Sequence, residues 1–159
     1  MNQHRRRIKI LFTIYTVLMV YLLFLQRIGD SAGMAFSAWV CASVNLIPGR
    51  TIFNLIRGAW NGWYYRGSTT LLRFALINNL GNIVLFLPLG CFLPALWKTQ
   101  RRWVWFVLTA TGTILLVETL QLLTMLGSWD MDDLILNVLG ATLGFHIWRR
   151  GQRRKNPEI

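Results

Sequence analysis

Acidic residues are scarce in this chain. Among 159 residues, six Asp or Glu stand against seventeen Lys or Arg, and the formal net charge is +11. A nucleic-acid binder can be this basic, but here the basic residues sit at the ends of long apolar runs, so nucleic acid is not an expected partner. Cysteine is nearly absent. Cys41 and Cys91 lack metal or redox spacing, so the expectation is two isolated buried thiols rather than a disulfide. Histidine is limited to His4 and His146, both next to basic ends, and no Ser-His or Cys-His nucleophile arrangement is present. No cofactor is implied. The length suits one domain.

What the chain does have is apolar length. It is 54% hydrophobic with eight Trp, and a bilayer span needs about 20 apolar residues. Four segments qualify, at about 8–25, 74–96, 103–126 and 134–148. The first follows Arg5, Arg6 and Arg7 with no clear small-residue cleavage site after it, which reads as an uncleaved signal anchor. Pro88 and Pro94 are expected to kink or end the second. The expected fold is an all-α integral membrane protein with four transmembrane helices and one short amphipathic or re-entrant helix outside.

Orientation follows from the basic residues. Arg5, Arg6, Arg7 and Lys9 precede the first span, Lys98, Arg101 and Arg102 join the second to the third, and the tail 149–159 holds five more. With four spans these lie on one side, which the positive-inside rule makes the cytoplasm. Both termini are therefore expected in the cytoplasm of a bacterial cell.

Four of the six acids lie within "ETLQLLTMLGSWDMDD". In this topology Asn78 and Asn82 of the second span, Glu118 and Gln121 of the third, and Asn137 of the fourth all lie in the outer half of the membrane, within about 12 Å of its outer edge. Asn78 and Asn82, and Asp133 and Asn137, are spaced i,i+4, while Glu118 and Gln121 are i,i+3, so each pair shares a helix face. A carboxylate at the depth of Glu118 costs several kcal/mol unpaired, so it should face the bundle interior. The plainer alternative is that Asn and Gln act as packing glue at about 1 kcal/mol each, and that Asp130, Asp132 and Asp133 cap the fourth helix. Below them, "GATLG" permits close helix approach, as do Gly81 and Gly90 on the second span.

Between the first two spans, Pro48 and Gly49 mark a turn. After it, Ile52, Ile56, Ala59 and Trp63 recur at helical spacing opposite Arg50, Asn54, Arg57 and Asn61, which predicts an amphipathic helix over about 50–65. Trp60, Trp63, Tyr64 and Tyr65 suit a headgroup layer. Arg50 and Arg57 could hold an anionic group over the polar cluster.

In three blocks, "NLIP" at 45–48, "GNIVLFLPLGCFLP" at 81–94 and "ETLQLLTMLGSWDMDDLILNVLGATLGF" at 118–145, the chain resembles the VanZ-like family of small bacterial membrane proteins. It departs from the family pattern at Gly49, where Phe is usual, and at Ser128-Trp129, where an Arg often precedes the first Asp; Arg50 or Arg57 would then serve as the carboxylates' partner. The resemblance implies a role in resistance to teicoplanin-like lipoglycopeptides. The binding residues it points to, together with the spacing, are Asn45, Arg50, Arg57, Asn78, Asn82, Glu118, Gln121, Asp130, Asp133 and Asn137. The ligand would be a membrane lipid, a lipid-anchored glycopeptide or a cell-wall precursor. Two other functions fit the same residues. One is a membrane enzyme on a lipid or polyprenyl-phosphate head group, with Glu118 as general base and Asp130, Asp132 and Asp133 as weak candidates for a divalent cation. The other is a small transport or accessory subunit in which Glu118 carries protons.

Overall fold

A computed structural model of the chain describes residues 3–28, 33–66 and 69–155. Six α-helices form along it: α1 (Gln3–Leu23), α2 (Phe36–Ser43), α3 (Arg50–Arg66), α4 (Thr70–Leu96), α5 (Trp103–Leu123) and α6 (Met131–Lys155). Short 3-10 turns follow α1 and α4. Two strands, β1 (Val44–Asn45) and β2 (Trp129–Asp130), pair in parallel. These strands and α2 are additions to the expected helix set. Residues 156–159 of the expected tail lie outside the described residues, and α6 carries the tail's first part as helix.

α1, α4, α5 and α6 have 21, 27, 21 and 25 residues, which makes them about 31 to 40 Å long at 1.5 Å per residue. Among the described residues two helices, Leu76–Leu96 and Trp103–Leu123, are both long and apolar enough to cross a membrane. α4 runs straight through Pro88 and Pro94 rather than ending at either. Tyr15 of α1 donates its hydroxyl to the Leu85 carbonyl at 3.0 Å, and Arg101 donates to the Pro94 carbonyl at 3.3 Å.

α4 and α6 run side by side in the same direction, and their backbones touch. A Cβ on Gly90 would strike the Ala141 carbonyl, one on Gly140 the Ile83 carbonyl and one on Gly144 the Leu87 carbonyl. Glycine at these positions is what brings the helices so near. The Cys91 thiol also donates to the Gly144 carbonyl at 3.2 Å. The "GATLG" expectation thus has a structural counterpart. Gly81 does not join it: open space surrounds its missing Cβ. Nor are both thiols buried, because Cys41 is exposed.

α5 returns antiparallel to these two. Its buried stripe is Phe106, Ala110, Ile114, Glu118 and Gln121, so a single face runs from apolar to polar. Phe106 stacks on Phe145 of α6 with ring centroids 4.5 Å apart, and Met19, Phe86 and Leu89 complete the core around them. The outer faces stay apolar. Ile14 and Val17 of α1, Leu108 and Leu116 of α5, and the stripe Ile135, Leu139, Leu143 and Ile147 of α6 are all exposed.

The helices give the bundle two unlike ends. One holds the start of α1 and the α4–α5 connection with their basic residues. The other holds α2, β1, α3, β2 and the start of α6. All four carboxylates among the described residues, Glu118, Asp130, Asp132 and Asp133, belong to the second end.

Candidate functional site

The polar end is built from two helix starts facing each other. α3 begins after a turn in which Gly49 has φ +82°, a conformation open chiefly to glycine. The Gly49 carbonyl accepts the first helical bond, from Phe53 N–H at 2.8 Å, so Gly49 is the N-cap residue and offers no side-chain oxygen to the free amides. Asp132 supplies it from α6. One of its oxygens accepts from Gly49 N–H at 2.5 Å, and the other from Thr51 and Ile52 N–H at 2.8 and 3.0 Å. Asp132 is 1% exposed. Burial on that scale requires partners of this kind, and a carboxylate at a helix start also meets the positive end of its dipole.

Asp130 does the corresponding work for α6. Its carboxylate accepts from Asp132 N–H at 2.8 Å and from the Thr51 hydroxyl at 2.5 Å. The β1–β2 ladder sets Asn45 opposite Asp130. The Asn45 amide donates to the Thr51 hydroxyl at 2.9 Å and reaches both Asp130 oxygens at 3.4 Å. Asn45, Thr51, Asp130 and Asp132 therefore lock α3 to α6. Neither Asp132's role nor Thr51's was expected from spacing alone. The one available signal was a helix start lacking its own capping side chain, which calls for an acceptor from elsewhere.

Below this lock two pairs cross between helices. Asn82 of α4 donates to Asp133 at 2.6 Å, and Asn137 of α6 donates to Glu118 of α5 at 3.0 Å. Glu118 is 4% exposed and faces the bundle interior. Asn137 is 2% exposed, and its Oδ1 is a buried acceptor without a hydrogen-bond partner among the described residues. Gln121 turns to α1 instead, donating to the Leu23 carbonyl at 2.9 Å.

A profile of the VanZ/LLP1 family matches residues 12–152. The chain belongs to the VanZ/LLP1 family. Comparisons with curated proteins and with solved structures give no match. The matched segment holds every element of the polar end, from the close of α1 to α6.

Two groups of expected site residues fall elsewhere in this VanZ/LLP1 chain. Asn78 is exposed, one turn before Asn82. Arg50 and Arg57 are exposed on α3, and the capping partners of Asp132 are backbone amides rather than a guanidinium. The face that α3 turns to the bundle is made mainly of small residues. Leu55, Gly58, Ala59 and Gly62 turn inward, while Ile56 and Trp63 are exposed. These last two, with Trp60, Leu76 and Asn79, line a mostly apolar groove of about 420 Å³ between α3 and α4. Among the described residues no three His, Cys, Asp or Glu side chains converge as metal ligands. Asp130 and Asp132 point their oxygens at amide and hydroxyl donors, so the divalent-cation reading gains no support from them.

Proposed function

We propose that the protein is a four-span membrane protein of the bacterial cell membrane that acts at the outer leaflet on a lipid-anchored, teicoplanin-like ligand. VanZ/LLP1 membership supports a teicoplanin-resistance-type role at the level of the family. The four spans would be α1, α4, α5 and α6, which expose apolar side chains such as Ile14 and Val17, Ile77 and Val84, Leu108 and Leu116, and Ile135 and Leu139. Only 22% and 28% of the two candidate spans are buried, whereas the core helix of a soluble protein would be largely enclosed. The basic end would face the cytoplasm with both termini, by the positive-inside rule. The polar end, with the aromatic rings of α3, would then lie at the outer headgroup layer.

The observation that carries the reading is Asn137 Oδ1, a buried acceptor beside Glu118 where α4, α5 and α6 converge. A buried acceptor left unpaired is costly, and a donor from a ligand would satisfy it. The α3–α4 groove offers apolar surface for an acyl chain next to this end, and Arg50 and Arg57 remain available for anionic groups. The ligand would be recognised by head and chain together.

The test is the inhibitory concentration of an acylated and a non-acylated glycopeptide in cells producing wild type or Glu118→Gln at matched membrane levels. Glu118→Gln keeps the shape and an acceptor for Asn137 but removes the charge. The expected result is protection by wild type against the acylated drug alone, lost in Glu118→Gln. Equal protection against both drugs, or full protection by the variant, would refute the proposal.

A further inference from the structure

The basic end carries a second pocket, far from the polar site. Arg5, Lys9, Phe12, Thr13, Leu96 and Trp97 line a hollow of about 300 Å³ between the start of α1 and the close of α4. Arg5 and Lys9 are one helical turn apart and so share a face of α1. Like charges at this spacing repel, and no carboxylate among the described residues lies at this end to offset them. The hollow's other wall is apolar and aromatic, with Phe12 meeting Trp97 edge-on at 5.6 Å between ring centroids. The Thr13 hydroxyl already donates to the Lys9 carbonyl at 3.1 Å. Arg101, in the α4–α5 connection, is held against the bundle, over the Trp148 ring at 5.7 Å and on the Pro94 carbonyl. Two cations above an apolar wall are thus left without a counterion among the described residues.

We infer that this hollow is a binding site for one anionic diacyl phospholipid. Its phosphate would sit between Arg5 and Lys9, and an acyl chain would run down over Phe12, Leu96 and Trp97. Basic pockets between spanning helices on the cytoplasmic side suit anionic head groups. A free phosphate would use the charges and leave the aromatic wall unsatisfied, so the lipid is the occupant. The site rests on α1 being a span, but not on any ligand of the polar end.

The experiment uses the full chain purified in a neutral detergent, with bound lipid counted by native mass spectrometry. The probes are phosphatidylglycerol, phosphatidylcholine and inorganic phosphate. Arg5→Gln with Lys9→Gln is compared with Arg153→Gln and Arg154→Gln, which removes the same charge from the exposed end of α6. One retained phosphatidylglycerol is expected, preferred over phosphatidylcholine and not displaced by inorganic phosphate. Its retention should fall roughly thirty-fold in the α1 variant, the scale of two lost basic contacts, and persist in the α6 variant. Equal losses in both variants would mean a diffuse charge effect and overturn the site. So would displacement by phosphate, or no preference between the lipids.

Discussion

Replacing Asp132 by Asn tests how α3 is held. The two side chains are nearly the same size, but only one oxygen remains. If that oxygen keeps Thr51 and Ile52 N–H, the new amide group faces Gly49 N–H across the shortest contact of the set, at 2.5 Å in the wild type. Donor then meets donor. A hydrogen bond to a charged group contributes about 1.5–3 kcal/mol, and the charge at the helix start contributes a further 0.3–1 kcal/mol or so. The start of α3 should therefore open more easily by about 2–4 kcal/mol. At 1.4 kcal/mol per tenfold, amide exchange at Thr51 and Ile52 should accelerate roughly thirty-fold to several-hundred-fold. Exchange around Ile114, in the core of α5, should not change. Hydrogen exchange read by mass spectrometry on peptides covering 47–56 and 110–116 measures both. Unchanged exchange in the first peptide would refute the idea that Asp132 caps α3.

The glycine crossing gives a paired prediction. Gly144→Ala drives a Cβ into the Leu87 carbonyl and should destabilise by about 1–3 kcal/mol or more, because backbone cannot step aside as a side chain can. Gly81→Ala, in open space within α4, should be neutral or stabilising by up to about 1 kcal/mol; thermal unfolding in one detergent compares the two. For the topology, a variant with Cys41→Ser and Cys91→Ala should react with an impermeant maleimide on intact cells when it carries Ser128→Cys, and fail to react when it carries Arg153→Cys. The reverse pattern would invert the proposed orientation.

Periodicity and spacing were informative within each helix. The turn at Pro48-Gly49 and the spacing after it pointed to a helix over 50–65, and α3 spans Arg50–Arg66. The depth of Glu118 and the cost of an exposed carboxylate in lipid pointed it inward, where Asn137 meets it. Contacts between distant elements were another matter. Asn78 and Asn82 share a face, yet only Asn82 has a partner on α6. Asn82 meets Asp133, the third residue of that helix, while Asn78, one turn further out on α4, is exposed. Spacing likewise could not distinguish the roles of Asp130, Asp132 and Asp133. Asp130 and Asp132 both meet the start of α3, Asp130 also meets Asn45 of β1, and Asp133 meets α4, so what each faces depends on elements placed 51 to 85 residues away in the chain. On α3 the glycines and alanine turn to the bundle and allow the close approach, while Ile56 and Trp63, the large side chains of the amphipathic pattern, stay exposed.

Among the described elements, the last to be synthesised is the one that closes the polar end. α6 and the strand before it supply Asp130 and Asp132 to the start of α3, Asp133 to Asn82, Asn137 to Glu118, and the glycines that receive α4. A chain stopped before residue 129 would possess α1 to α5 and none of these closures: α3 would begin without its acceptor, and α4 would leave uncovered the surface meant for a backbone. The polar end thus matures late and all at once, and truncations or insertions near residue 130 should be felt at every part of it together.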